Sequence, residues 1–506
     1  MIINIFVVIL LTLVSYIIYF AIKYPDRAIG TKTRPELKGP RGFPILGNFV
    51  ALLRSRGFMY YLLDLLDKYG TCFTFTLPVK GRFIMINDPQ LLEYTLKTEF
   101  FSFEKGEILH ELLYDLFGDG IFGADGDQWK LQRRTISRLF QERNYKDFIY
   151  AKIVKESETV LNILRRCADN GRPIDLQDLF YRFTLDTLGD VFFNTDFSCL
   201  TSPEEPVQFA IDFDITQRIV DWRLEQPLWK FIELYDERGR QIRNSCEVLD
   251  NYVYNMITSR RADIKNGKKP PNDLLTLFIK AADEDREEGE EKLDDKWLRD
   301  VTLNLIIAGR DTTAQALSWM MYSIMTNPSV EDSLLNEINS ILLPNTQIPP
   351  YDDVKQQFKY TKATFSETLR LYPSVPKNLK VCVKDNILPN RVPVYANEFV
   401  IWVPWAMGRD KNIWGEDAQV FEPQRFLDEE DLLRPQNQYK FNSFHAGPRT
   451  CLGQQFATIE VVILMTMMLK EFKFELVPGQ KSPPEFQTSL TLPMKKPLMA
   501  NVSRRF

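Results

Sequence analysis

The sequence predicts a mainly α-helical α+β fold with small β-sheets, preceded by one N-terminal transmembrane helix. Residues 127–325 carry apolar side chains at three- and four-residue spacing, which is typical of long helices. Residues 71–87 instead alternate or run apolar around a turn at residues 78–81, as two short strands would. No internal repeat is evident, so we expect one large unit rather than several domains.

Composition limits the classes of protein to which the chain can belong. The 506 residues exceed the usual size of a single hydrophobic core, and 44% hydrophobic with 26% charged residues is the composition of a globular protein. A formal net charge of -5 gives no overall basic field, which argues against nucleic-acid binding. The six cysteines form no C-x-x-C pair, and two histidines are too few for a three-imidazole zinc site.

The first 22 residues are almost entirely apolar. About 20 helical residues suffice to cross the hydrocarbon core of a bilayer, so residues 1–22 are predicted to form a transmembrane anchor. A cleaved signal peptide is the alternative, but no basic region precedes the apolar stretch and no clear cleavage site follows it. Basic residues follow the stretch, which by the positive-inside tendency leaves the rest of the chain cytoplasmic.

A basic, proline-rich hinge is predicted over residues 23–48. Prolines and glycines alternate between residues 34 and 48, where they forbid a continuous helix and make a stiff, turning connector. The folded domain is then expected to occupy residues 49–506.

A lone cysteine lies in a glycine-rich loop directly before a helical run. In the segment FHAGPRTCLGQQF, Gly447 and Gly453 flank Cys451. Small residues let a thiolate approach a flat macrocycle, and the N-terminus of the following helix favours an anionic sulfur. An inert buried thiol is the alternative, and it suits the cysteines of the helical region better than Cys451.

These residues resemble the haem-binding signature of the cytochromes P450, F-x-x-G-x-R-x-C-x-G. Every fixed position matches, namely Phe444, Gly447, Arg449, Cys451 and Gly453. The resemblance implies a cytochrome P450-like fold with haem b as cofactor. It also implies that Cys451 is the iron ligand, that Arg449 pairs with a haem propionate and that Phe444 belongs to the haem-binding loop.

A largely apolar helix is predicted over residues 297–325, with polar residues at its centre. The segment AGRDTT resembles the P450 motif A-G-x-D/E-T-T, in which the acid and the first threonine manage protons for dioxygen activation. Asp311 and Thr312 are accordingly predicted to be catalytic. Gly309 and Thr312 are expected to open the helix locally. Taken alone, the segment could equally be a core helix with satisfied polar groups.

Further matches to the family concern the scaffold and the haem edge. Glu367 and Arg370 share one helix face, and in the family they form a structural triad with an arginine at the position of Arg425; an ordinary surface pair is the alternative. Trp129 and Arg133 resemble the W-x-x-x-R motif that reaches the haem propionates.

Two weaker patterns are less specific. Lys380 lies where the family often places another cationic propionate partner, and the basic residues near Trp129 could be solvated or form part of a reductase-docking face. The segment GDGIFG, residues 118–123, matches G-x-G-x-x-G but lacks the strand that a dinucleotide site needs in front of it. A loop near the haem is predicted there instead.

The resemblance implies a haem-thiolate monooxygenase that inserts one atom of dioxygen into a C–H bond of a lipophilic substrate. Electrons would come from NADPH through a separate NADPH-cytochrome P450 reductase, with cytochrome b5 as a further donor to consider. The expected location is the endoplasmic reticulum membrane, with residues 49–506 as the cytoplasmic catalytic domain.

The substrate is less defined. The segments LRLYPSVPKN and LFGDGIFGADGDQW resemble the fatty-acid and alkane ω-hydroxylase branch of the family, which implies a long, apolar substrate. Candidate pocket residues, which could equally be plain core residues, are Phe117, Ile121, Phe122, Ala308, Val375 and Leu490. A steroid, a terpene, another secondary metabolite or a xenobiotic is the alternative substrate. A haem-thiolate redox or gas sensor and a scaffold without haem are the non-enzymatic alternatives.

Overall fold

The structure is a computed structural model that describes residues 2–23, 28, 31, 34–201, 206–283, 293–487 and 489–505. Most of these residues are helical, as predicted. The helices are α1 Ile2–Lys23, α2 Phe49–Arg54, α3 Phe58–Tyr69, α4 Pro89–Glu93, α5 Gly106–Phe117, α6 Gly126–Ser137, α7 Glu142–Asn144, α8 Tyr150–Asn170, α9 Leu176–Leu188, α10 Gln208–Glu225, α11 Trp229–Tyr235, α12 Glu237–Lys265, α13 Leu274–Asp283, α14 Asp295–Thr326, α15 Pro328–Ile341, α16 Tyr351–Gln356, α17 Lys359–Leu371, α18 Pro404–Met407, α19 Lys411–Trp414 and α20 Gln454–Glu471.

Short strands complete the fold. They are β1 Thr74–Leu77, β2 Gly81–Met85, β3 Phe103–Glu104, β4 Ile174–Asp175, β5 Asn378–Cys382, β6 Asn386–Ile387, β7 Pro393–Val394, β8 Phe399–Trp402, β9 Phe472–Leu476 and β10 Met499–Arg504. Across the described ranges they form sheets of order β1-β2-β8-β5-β3, β4-β10-β9 and β6-β7, in which only β2 and β8 pair in parallel. The predicted strand pair at residues 71–87 is confirmed as β1 and β2.

Helix α14 runs through the centre of the molecule. The side chain of Asp294 caps its first turn by accepting a hydrogen bond from the N–H of Trp297, 2.9 Å away. The helix is continuous from Asp295 to Thr326, so the local opening predicted at its centre is wrong. Gly309 serves packing instead, because a Cβ there would collide with the Leu188 side chain of α9.

Part of the predicted hinge is docked on the folded body. Residues 24–27, 29–30 and 32–33 lie outside the described residues. The Arg34 guanidinium, however, is buried, lies 2.9 Å from the Glu398 carboxylate and donates to the main-chain oxygen of Pro393 at 2.7 Å. This charge-assisted contact fixes the end of the hinge against the strands β7 and β8.

The N-terminal helix α1 exposes its apolar side chains between Ile5 and Tyr19. Among the residues that the structure describes, no helix is long and apolar enough to cross a membrane. The transmembrane anchor predicted for residues 1–22 is therefore not confirmed.

Candidate active site

The loop that carries Cys451 is closed by main-chain hydrogen bonds and by one tight contact. The N–H of Cys451 donates to the main-chain oxygen of Phe444 at 2.9 Å. Gly447 has a φ of 66°, and a Cβ on it would collide with the carbonyl oxygen of Leu96. Glycine is therefore required at this position, as the predicted signature implies.

Cys451 has solvent-accessible surface although its thiol lies deep within the protein. The residue is exposed, yet protein atoms surround it, and this burial raises the pKa of the thiol. The N–H groups of Gly453 and Gln454 and the charge of Arg133 act in the opposite direction. A sulfur with open space in front of it and N–H groups behind it is arranged to bind a metal as a thiolate.

Unpaired donors lie close to this loop. Arg449 reaches the Asp125 carboxylate at 2.5 Å and stacks 4.6 Å from the Trp129 ring, but its buried Nε has no hydrogen-bond partner among the described residues. The Arg133 guanidinium packs 5.9 Å from the same ring. Within the described part of the chain it makes no hydrogen bond or ion pair.

Lys380 adds a further buried cation to this group. Its Nζ donates to the main-chain oxygen of Phe103 at 2.8 Å, and burial together with the charges of Arg449 and Lys105 holds the lysine pKa well below its usual value. Orphaned donors and an excess of positive charge in the interior fit the two propionates of a haem. The residues present therefore fit the group that the sequence predicts.

Two residues of this cluster were not identified from the sequence. Burial and the charge of Arg449 lower the pKa of Lys105 to about 8. Burial and the charges of Lys105 and Lys380 lower the pKa of His445 to about 3, so its imidazole is neutral. Lys105 lies in no motif. His445 lies inside the signature, but at a position that the signature leaves open.

The centre of α14 presents one accessible face. Within residues 297–324, all of which the structure describes, every residue is buried except Ala308, Gly309 and Thr312. Residues three or four apart share one helix face, so Ala308 and Gly309 both lie on the same side of α14 as Thr312. The hydroxyl of Thr312 donates to the main-chain oxygen of Ala308 at 2.6 Å. This accessible face, at the centre of an otherwise buried stretch of helix, offers a place where a substrate and dioxygen could bind.

Asp311 does not lie on this face. Its carboxylate is buried, accepts a hydrogen bond from Gln217 Nε2 at 2.8 Å and lies 2.9 Å from Arg310 Nη1. Burial raises the pKa of Asp311 to about 6. The structure thus places Thr312, but not the Asp311 carboxylate, at the accessible surface.

The predicted triad is assembled in the structure. Arg370 and Glu367 are fully buried and form two hydrogen bonds of 2.6 Å, and Arg425 Nε lies 3.8 Å from Glu367 Oε1. Helix α17, which carries the pair, contacts the cysteine loop through the Ser443 hydroxyl, which donates to the Leu369 oxygen at 2.8 Å. The ring of Phe444 also packs edge-on against Phe365 of α17.

The segment GDGIFG is a loop, as predicted, and it packs on α14. A Cβ at Gly118 or Gly120 would collide with the side chains of Asp300 and Asn304. The loop leads directly into Asp125, the partner of Arg449. Its glycines thus permit close packing on a helix rather than the approach of a pyrophosphate.

The six predicted pocket residues differ in exposure. Ala308, Ile121, Val375 and Leu490 are partly exposed, whereas Phe117 is 3% exposed and belongs to the core. Phe122 is 37% exposed, and its ring packs edge-on against Phe117. The N–H of Phe122 donates to Asn304 Oδ1 at 3.0 Å, one turn before Ala308 on α14.

Comparisons with known proteins agree with this arrangement. A family model described as Cytochrome P450 matches residues 37–501. "Cytochrome P450 monooxygenase cyp1" of Mycosarcoma maydis is 37% identical, over 96% of this chain and 78% of that protein. "Cytochrome P450 704B1" of Arabidopsis thaliana is 33% identical over 92% of this chain and 95% of its own length. "Cytochrome P450 86B1" of the same plant is 32% identical over 94% and 88%.

The buried pair on α17 generates a stability prediction. Glu367→Ala leaves the Arg370 guanidinium buried without its carboxylate, so we expect the free energy of unfolding to fall by about 3–5 kcal/mol in urea titrations. Asp417→Ala is the control, because that carboxylate pairs with Arg425 at the exposed surface and its removal should leave the free energy of unfolding nearly unchanged. Equal losses in the two variants would contradict the central role of the buried pair.

Proposed function

The chain belongs to the cytochrome P450 family, and we propose that it hydroxylates a long, apolar substrate, a fatty acid or an alkane, near the end of its chain. Membership of the family makes it a haem-thiolate monooxygenase. The observation that carries the proposal is the exposed Cys451 thiol in a glycine-shaped loop, together with an accessible face at the centre of α14. The resemblance of residues 369–378 and 116–129 to the ω-hydroxylase branch supports the substrate class.

Each part of the site has a separate task in this proposal. Cys451 binds the haem iron, and the bound haem supplies the redox chemistry that activates dioxygen. Arg449, Arg133 and Lys380 hold the propionates by charge. Thr312 holds a proton at its Oγ1, on the accessible face of α14, and Asp311 resupplies that proton from the buried side.

The apolar character of the accessible space agrees with an alkyl chain as substrate. Ala308, Val375, Leu490 and Ile121 are partly exposed and carry no polar side-chain atom. Burying a methylene group in such surroundings stabilises the complex by about 0.8 kcal/mol, so a long chain gains affinity without a polar anchor. A steroid or a terpene would use the same apolar surface and is the alternative that a binding experiment separates.

Attachment to a membrane is part of the proposal. We propose that α1 associates with the endoplasmic reticulum membrane, because its exposed apolar side chains between Ile5 and Tyr19 form a far larger apolar surface than water-soluble proteins usually leave uncovered.

Electrons would come from NADPH through a partner reductase, with cytochrome b5 as a second donor. The exposed basic residues Arg134 and Arg138 at the end of α6 would suit an acidic docking face on that partner.

Spectra of the purified protein test the proposal. We expect the reduced protein to give the thiolate-type Soret shift with carbon monoxide, and Cys451→Ala to lose it because alanine offers the iron no ligand. Cys199→Ala is the control, since that thiol is buried away from the loop. A retained shift in Cys451→Ala would overturn the assignment of the ligand.

The substrate class is tested by a second measurement on the same sample. Hexadecanoic acid titrated into the oxidised protein should change the spin state of the haem, because an alkyl chain bound against the accessible face of α14 displaces water there. A Soret shift without a spin change would keep the family and exclude a long-chain fatty acid as the substrate, and steroids or terpenes would then be titrated.

The role of Thr312 is tested by a substitution that removes its hydroxyl group. Thr312→Ala should retain haem but release hydrogen peroxide in place of hydroxylated product, because the accessible face loses its proton-holding hydroxyl; general acid–base groups of this kind typically contribute 10²–10⁴-fold. Thr326→Ala is the matched control, because its hydroxyl makes the same bond to a carbonyl four residues earlier, at the end of α14. Normal coupling of electrons to product in Thr312→Ala would contradict the role.

Membrane attachment is tested by sedimentation with phospholipid vesicles. The variant Leu10→Lys should bind vesicles more weakly, because a charge in the middle of the exposed apolar surface of α1 opposes the burial of that surface in lipid. The control Leu53→Lys, at another exposed leucine, in α2, should bind as the unmodified chain does. Equal binding by both variants would count against α1 as the attachment segment.

A further inference from the structure

Helix α10 supplies the hydrogen bond that holds the Asp311 carboxylate. Gln217 Nε2 donates to Asp311 Oδ2 at 2.8 Å, and both residues are almost completely buried. Among the described residues, no other side chain donates to that oxygen. The contact therefore joins α10 to the acid of the AGRDTT segment, in the interior of the protein.

The charges around Asp311 do not cancel. Arg310 Nη1 lies 2.9 Å from Asp311 Oδ1 and 2.7 Å from Asp214 Oδ1, so one cation serves two carboxylates. Tyr181 of α9 packs its ring 4.7 Å from the same guanidinium. An ionised carboxylate in such surroundings depends on every hydrogen bond that it accepts, and among the described side chains Gln217 gives the one neutral donor.

The Gln217 amide is held in the interior for this single bond. Its Oε1 is buried and has no hydrogen-bond partner among the described residues. Leaving a buried amide oxygen unpaired costs about 1–3 kcal/mol, and in the structure only the bond to the Asp311 carboxylate offsets that cost among the described residues. The buried amide at this position is therefore explained by what it does for Asp311.

We propose that Gln217 is a positioning residue for proton transfer, which fixes the Asp311 carboxylate against α10 and so makes proton supply to Thr312 depend on the position of that helix. The proposal rests on the proposed function, since it takes Asp311 as the proton relay. Burial raises the pKa of Asp311 to about 6, and the hydrogen bond from Gln217 acts in the opposite direction.

The test measures product formed per NADPH oxidised against pH, with the haem-loaded protein, a partner reductase and hexadecanoic acid. Gln217→Met keeps the volume but removes the donor, so the Asp311 carboxylate loses stabilisation and the inflection of the profile should move upward by about one pH unit. Gln208→Met is the matched control, because Gln208 donates to the Asp212 carboxylate on the same helix. Its profile should coincide with that of the unmodified protein.

A second variant guards against a folding defect in the first. Gln217→Glu places a like charge beside Asp311 and should move the inflection upward as well, and the carbon monoxide spectrum reports how much of each variant is intact. Since a merely structural residue would lower the intact fraction without moving the inflection, an unmoved inflection in both variants would overturn the proposal.

Asp311→Asn separates this proposal from the one on which it rests. It should remove the inflection, and Gln217→Met should then have no further effect in that background. If Asp311→Asn keeps the inflection, Asp311 is not the relay and the proposed function loses that residue. If Asp311→Asn removes the inflection while Gln217→Met leaves it in place, only the role of Gln217 fails.

Discussion

The Glu367–Arg370 ion pair organises the part of the chain that positions the cysteine loop. Both side chains are fully buried, and Arg370 also donates to the main-chain oxygens of Ala418 and Val420 at 2.5 and 2.9 Å. A buried ion pair is tolerated only when its remaining polar atoms find partners. Here those partners are main-chain groups of an irregular segment, which has few hydrogen bonds of its own. The pair therefore holds that segment against α17, and α17 in turn contacts the cysteine loop.

Helix α14 joins the other parts of the site. Its N-terminal half bears Asp300 and Asn304, which bind the glycine-rich loop, and its centre bears Gly309, which admits Leu188 of α9. Because these partners come from different elements, the helix sets their relative positions. Between residues 297 and 324 the accessible face is small, at Ala308, Gly309 and Thr312. The chemistry is thereby confined to about one helical turn.

Sequence reasoning succeeded where the relevant spacing is local. The residues flanking Cys451 lie in one short loop, and Glu367 with Arg370 lies in one turn of a helix, so their relation is already present in the sequence. It failed where tertiary packing decides. The glycine at position 309 was interpreted as a weak point of the helix, but it is a contact site for a second helix. Lys105 joins the cationic cluster from a distant segment, and no motif marks it.

The direction of the Asp311 side chain is a similar case. The motif predicts an acid next to Thr312, yet adjacent residues on a helix point about 100° apart, and the sequence alone does not say what faces the acid. The structure places the carboxylate against Gln217 and Arg310. Asp311 thus faces a second helix whereas Thr312 lies on the accessible face of α14, so a proton that passes between them must move around the side of α14.

The cationic cluster links cofactor binding to folding. Four cations lie near the same place, Lys105, Lys380, Arg133 and Arg449, whereas two carboxylates act on them there, Asp125, which pairs with Arg449, and Glu104. Burial lowers the pKa of both lysines, which shows that the interior by itself disfavours their charged forms. Two propionates would supply the missing negative charge. Because such a group binds the folded chain and not the unfolded one, its binding free energy adds to stability, and the site is most stable when it is filled.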